Sequence, residues 1–235
     1  MVRHNSERQR NISHKLIHWT VHSQQFLFFK ISFNSPDQSW QYFVFLHIEF
    51  DQPSQSLVQL ITDAKSIGAD IIIIIQSWVK SKHPDDTFSI PGFKTLREDR
   101  VKLKGGCVCV FIREELRPRQ VDLHSKMENI KVLWFVVTLT TERMMTICMT
   151  FHPPKPIYDL SHFKTLLADN ISCPLDNNAK SIFVLTGDIN KLNTTKLQLQ
   201  QGLKQIVKVP THDKTILDQF IINRPYLLVC RSLNP

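Results

Sequence analysis

A carboxylate and a carboxamide stand two residues apart in Gly187-Asp188-Ile189-Asn190, directly after an apolar run that begins at Ser181. Side chains alternate along a strand, so residues two apart at its end point to one side. Such a pair could together hold a water and a phosphate oxygen. The alternative is a turn in which Asp188 and Asn190 bond their own backbone.

Strands and helices must position this pair. Strand patterns cover residues 41–50, 69–75, 93–96, 106–112, 130–140, 145–151, 181–185 and 216–222, and helical spacing covers 57–67, 160–167 and 193–201, the last with Asn193 as its cap. Residues 69–75 are apolar throughout, as expected of a strand covered on both faces. The pattern predicts an α/β fold, a four-layer α/β/β/α sandwich of two packed sheets with helices outside. We assign residues 1–40 to a poorly defined N-terminal extension and residues 41–235 to this domain.

Composition narrows the class of protein. A net charge of +8 and a pI near 9.3 favour a polyanionic partner, because Lys and Arg neutralise phosphates. The five cysteines include no CxxC pair, which argues against a disulfide framework and a zinc ribbon. The longest apolar runs fall short of the roughly 20 residues that span a bilayer, and no signal peptide is evident. We expect an intracellular protein with no membrane partner and no small-molecule cofactor.

Several further motifs follow one another in a family's order. Gly187-Asp188-Ile189-Asn190 resembles a "GDFN" motif, residues 75–79 a "TETWL" motif, and Phe151-His152-Pro153-Pro154 a "YRPP" motif. Residues 90–110, 128–134 and 202–218 match further segments. From Leu46 to Tyr226 the chain therefore resembles the endonuclease/exonuclease/phosphatase superfamily, and within it the endonuclease domain of non-long-terminal-repeat (LINE-type) retrotransposons.

The resemblance implies hydrolysis of DNA phosphodiesters with Mg²⁺, nicking target DNA so that the exposed 3′ end primes reverse transcription. It implies that Asp188 and Asn190 orient the attacking water and contact the phosphate, and that Asp218 fixes a catalytic histidine. A domain with this activity would work in the nucleus.

This chain departs from the family's pattern at several points. Gln76 stands where the family has its metal-binding Glu, and a neutral amide weakens a hard-cation site. Phe151 replaces the Tyr of "YRPP", and the chain ends without the "SDH" motif that carries the histidine, which implies a missing last strand. His152 could replace the lost donor, but we expect an exposed loop histidine. The resemblance therefore predicts a catalytically impaired endonuclease.

Residues 94–119 are rich in Lys and Arg and could line a DNA groove through Arg97, Arg100, Lys102 and Lys104. A solvated hairpin face explains them equally well. The tryptophans are expected in the core. Two other functions stay open on the same fold: a non-enzymatic nucleic-acid or protein-binding module, and a relic without function.

Overall fold

The computed structural model describes residues 26–34, 40–49, 68–77, 89–98, 107–122, 130–140, 143–177, 181–208, 210–212 and 214–233. Its strands are β1 (Phe26–Asn34), β2 (Trp40–Glu49), β3 (Ile71–Ser77), β4 (Phe93–Glu98), β5 (Cys107–Arg113), β6 (Arg119–Gln120), β7 (Lys131–Thr140), β8 (Arg143–Phe151), β9 (Ile182–Asp188), β10 (Lys204–Gln205), β11 (Asp218–Ile222) and β12 (Leu228–Leu233). The helices are α1 (Leu160–Asn177) and α2 (Thr195–Gln200), with 3-10 turns at Glu114–Leu116 and Pro225–Leu227.

The strands form two six-stranded sheets with the same internal pattern. The first has the order β12-β1-β2-β3-β5-β4 and the second β10-β11-β9-β8-β7-β6. In each sheet one parallel pair, β2–β3 or β8–β9, is flanked by antiparallel neighbours. A parallel pair needs a crossover connection, and α1 supplies the one between β8 and β9. The two packed sheets confirm the predicted α/β sandwich.

Two apolar layers hold the sandwich together. The larger lies between the sheets and includes Ile73 of β3, Ile147 of β8 and Val184 of β9. The smaller lies between the second sheet and α1 and includes Phe183 of β9 and Phe163 of α1. Strand β9 alternates between these layers, so it is apolar on both faces. One outer helical layer is therefore α1, while the helix predicted over 57–67 lies outside the described residues.

Most predicted strands are present within a few residues of their expected bounds, and Trp134 is in the core as predicted. The sequence pattern did not indicate β1, β6, β10 or β12. Residues 26–34, which we had placed in an N-terminal extension, pair with both β2 and β12. Helix α2 has Thr194 at its N-cap, and Asn193 instead accepts a hydrogen bond from the backbone N–H of Thr195 at 3.0 Å. None of the helices in the described ranges is long and apolar enough to cross a membrane.

Gly187 lets β9 approach β8 at the residue just before Asp188. Its φ is +136°, and a Cβ there would lie 1.9 Å from the carbonyl oxygen of Thr150. The obstacle is backbone, which cannot swing aside as a side chain does. A glycine is therefore required at this position for both conformational and steric reasons.

We expect Gly187→Ala to lower the free energy of unfolding by about 3 kcal/mol or more, as strain and overlap at a special backbone position do. Gly202→Ala is the matched control, since Gly202 also has positive φ (+62°) but no atom within 4 Å of an added Cβ. The control should cost about 1 kcal/mol. Urea unfolding of both variants checks this, and equal losses would contradict the close approach.

Candidate functional site

Two buried aspartates lie side by side at one end of the strands of the second sheet. Asp188 is the last residue of β9, Asp218 is the first of β11, and the two are direct partners in the antiparallel register. Val184 and Phe220 face the inter-sheet layer, and alternation along each strand puts Asp188 and Asp218 on that same face. The structure thus brings together two of the three residues predicted to carry the chemistry.

Asn190 lies in the turn after β9 and hydrogen-bonds to residues at or next to the ends of β8, β9 and β11. Its φ is +50°, a left-handed conformation that Asn tolerates better than most residues. Its backbone N–H donates to Asp188 Oδ1 at 3.1 Å and lies 3.1 Å from the carbonyl oxygen of Leu217. Its side-chain Nδ2 donates to the carbonyl oxygen of His152 at 2.7 Å. Asp188 therefore bonds the local backbone, as the turn alternative predicted, whereas the Asn190 amide bonds the end of β8.

Thr211 holds the start of β11. Its buried Oγ1 accepts hydrogen bonds from the backbone N–H groups of Leu217 and Asp218, both at 2.9 Å. The sequence comparison used Thr211 only as part of a matching segment and assigned it no role. The only sequence signal was that Thr211 lies seven residues before Asp218. The folded loop shows that the Thr211 hydroxyl positions this aspartate.

His152 is buried, with 5% of its surface exposed, so the expectation of an exposed loop histidine was wrong. Its N–H donates to the carbonyl oxygen of Asp188 at 2.8 Å, which extends the β8–β9 pairing past the last residue of β8. Its ring lies 5.8 Å from the Phe163 ring, stacked at 8°, and Nδ1 is 2.7 Å from the Tyr158 hydroxyl. Burial lowers the pKa of His152, and the charge of Lys164 lowers it further.

Phe151 lies on the other face of β8 from His152. It is buried in the inter-sheet layer, the layer that Asp188 and Asp218 face. The position where the resemblance expects a tyrosine is therefore at the site, but it carries no hydroxyl. His152 faces α1 and does not take its place.

The first sheet reaches the same end of the sandwich. Lys131, opposite Phe151 at the start of β7, lies 3.4 Å from Glu98 at the end of β4 (Nζ to Oε1). Because β4, β5 and β3 are neighbours, this end includes the last residues of β3. The β3–β5 register shifts between Ile75 and Ser77, so Gln76 is the extra residue of an irregularity. Such bulges often stand next to functional sites.

The donor set does not fit a magnesium site of the expected kind. Mg²⁺ takes hard oxygen ligands, carboxylates above all. Asp188 and Asp218 are two carboxylates on adjoining strand ends, and the sequence has Gln76, a neutral amide, where the resemblance expects a third. Within the ranges that the structure describes, no three His, Cys, Asp or Glu side chains are grouped so as to hold a metal ion.

The predicted DNA-binding segment is only partly described. Arg97 is half-buried in β4, and Arg100, Lys102 and Lys104 lie outside the described residues. Two other cations of the segment bind within the protein. Lys94 Nζ donates to the carbonyl oxygen of Pro118 at 3.2 Å, and Arg113 pairs with Asp70 at 2.8 Å (Nε to Oδ1).

Comparison with models of protein families finds no match, and comparison with curated proteins finds none either. Solved structures do match. The endonuclease domain of TRAS1, a telomere-specific non-LTR retrotransposon, is 15% identical over 75% of this chain and 82% of its own, with a TM-score of 0.53. A humanized D. rerio TDP2 is 9% identical over 76% and 82%, with a TM-score of 0.52. A truncated Caenorhabditis elegans TDP2 is 10% identical over 72% and 77%, with a TM-score of 0.50. The chain has the endonuclease/exonuclease/phosphatase fold, as the resemblance implied.

The lowered pKa of His152 predicts a pH-dependent stability. Above its ordinary pKa of 6.5 the imidazole is neutral in both states. As the pH falls below 6.5, His152 binds a proton in the unfolded chain before it does so in the folded chain. The free energy of unfolding therefore falls with acidification. His152→Gln should therefore lose less stability than the native chain between about pH 7.5 and about pH 5.5. Denaturant unfolding at both pH values measures the difference, and the exposed His162→Gln should keep the native dependence. An unchanged dependence in His152→Gln would contradict the burial argument.

Proposed function

We propose that this chain is an endonuclease-type domain of LINE-type retrotransposon descent, which binds DNA and is impaired in hydrolysing its phosphodiesters. The observation that carries this is the buried pair Asp188 and Asp218 on adjoining strand ends, with Asn190 two residues on. Two carboxylates that face one layer at adjoining strand ends are the residue types that metal-assisted phosphodiester hydrolysis uses, so a site inherited from an active enzyme accounts for them.

The order of the sequence motifs supports the retrotransposon branch. The structural neighbour from TRAS1 is itself the endonuclease domain of a non-LTR retrotransposon. Its low identity carries only the fold, so the descent rests on the motifs between Leu46 and Tyr226. By that descent the substrate is target DNA, the cofactor of the ancestral reaction is Mg²⁺, and the place of action is the nucleus.

Impairment follows from what the reaction needs. Hydrolysis of a phosphodiester requires a metal-bound carboxylate set, a positioned water and donors for the charge that develops on the phosphate. Position 76 has lost a carboxylate and position 151 a hydroxyl. Loss of one such donor costs about 10²–10³ in rate. Groups that act as a unit do not contribute independently, so the remaining aspartates cannot restore the rate alone.

A non-enzymatic nucleic-acid-binding module is the second candidate. Gln76 and Phe151 favour it, since neither substitution disturbs a basic surface or the sandwich. The two proposals differ in one measurable quantity, the affinity for Mg²⁺ that a carboxylate at position 76 would restore.

We expect no Mg²⁺-dependent nicking of supercoiled plasmid by the native chain above that of an Asp188→Ala variant. The measurement is conversion of supercoiled to open-circular DNA on a gel, at equal protein concentrations and with an EDTA control. Clear nicking by the native chain that Asp188→Ala abolishes would overturn the proposed impairment.

We expect Gln76→Glu to raise the affinity for Mg²⁺, because it returns a carboxylate to the end of β3. Calorimetric titration with MgCl₂ measures it. Gln120→Glu is the matched control: it adds the same charge at an exposed position in β6 and should leave Mg²⁺ binding unchanged. Equal behaviour of the two variants would show that position 76 is not part of a metal site.

A further inference from the structure

Three loops of the second sheet lie at the same end of the strands as the aspartates, and each carries an exposed lysine. They are residues 152–159 after β8, 189–194 after β9 and 206–217 before β11. Strands β8 and β9 are parallel, and β11 is antiparallel to β9. The loops after β8 and β9 and the loop before β11 therefore lie at the same end of the strands. We call Lys155, Lys191 and Lys214, one from each loop, the basic rim.

Chain connectivity and hydrogen bonds link the loops that carry the rim lysines to the strand ends that carry the aspartates. Lys191 directly follows Asn190, and Lys155 is three residues beyond His152, whose carbonyl oxygen binds the Asn190 amide. Lys214 lies in a tight turn in which the N–H of Thr215 donates to the carbonyl oxygen of His212 at 2.8 Å. Thr211 pins that turn to the start of β11.

The rim cations are available to a ligand. Within the part of the chain that the structure describes, none of the three ammonium groups has an ion pair. The acidic residue of the loop after β8, Asp159, is already engaged. Its Oδ1 accepts hydrogen bonds from Ser161 Oγ at 2.6 Å and from the N–H of His162 at 2.7 Å, at the start of α1.

We propose that the basic rim binds the phosphate backbone of a nucleic acid laid across the aspartate pair. The lysines of the three loops at the aspartate end offer cations to a phosphate bound there. Each strand of a DNA duplex presents a phosphate about every 3.4 Å of its axis, so one strand can meet lysines from separate loops. Lysine binds a phosphate as a point charge and reads no base edge, so this contact is independent of sequence.

This inference rests on the proposed function for its ligand. The basic rim is a set of cations separate from the predicted DNA-binding residues Arg97, Arg100, Lys102 and Lys104. Two other cations of segment 94–119, Lys94 and Arg113, are bound within the protein.

The test compares two triple variants of equal charge. The rim variant is Lys155→Gln, Lys191→Gln and Lys214→Gln. The control is Arg143→Gln, Lys204→Gln and Arg224→Gln. These residues lie at the opposite end of the strands, where β8 and β10 begin and β11 ends. Anisotropy of a labelled duplex of about 30 base pairs is measured against KCl concentration in EDTA, so that cleavage plays no part. Thermal unfolding of all three proteins establishes that they are folded.

We expect the rim variant to lower the slope of log affinity against log salt by about two to three, and affinity at low salt by at least about tenfold. The control should keep most of the native slope. Equal losses in both variants would show that net charge alone binds DNA, and a native slope in the rim variant, or no binding by the native chain, would also overturn the inference. Cleavage by the native chain in Mg²⁺ would overturn the proposed impairment and leave this result intact.

Discussion

The close approach of β8 and β9 at Gly187 is the constraint on which the site depends. The carbonyl oxygen of Thr150 occupies the space that a side chain at position 187 would need. Two residues after Thr150, just past the end of β8, the backbone N–H of His152 donates to the carbonyl oxygen of Asp188. The carbonyl oxygen of His152 accepts a hydrogen bond from the Asn190 side-chain amide. A side chain at position 187 would push the strands apart and break both contacts, so one glycine sets the position of the aspartate and of the turn after it.

The site combines a defined backbone arrangement with a mixed set of side chains. Asp188 and Asp218 are held opposite one another, and Thr211 accepts hydrogen bonds from the backbone at the start of β11. Phe151 lies in the apolar layer beneath them, where its ring adds buried area and offers no hydrogen bond. A buried phenylalanine at this position contributes to packing between the sheets.

His152 illustrates how burial changes a residue's use. On the outer face of the second sheet its ring is covered by Phe163 and bonded to the Tyr158 hydroxyl. Burial lowers its pKa, which keeps the ring neutral and favours a packing role over that of a cationic phosphate ligand. The lysines of the neighbouring loops, by contrast, are exposed.

Sequence alone determined the sandwich, because β9 is apolar on both faces and the strand and helix patterns follow hydrophobic spacing, a local property. It also placed Asp188, Asn190 and Asp218 in the candidate site through the order of the motifs. It did not indicate the pairing of β1 with β12, since that contact joins the two ends of the chain. Only the tertiary structure decided that Asp188 and Asp218 are register partners, that His152 is buried against α1, and that Thr211 holds β11. These depend on which strands become neighbours, and no local spacing in the chain encodes that.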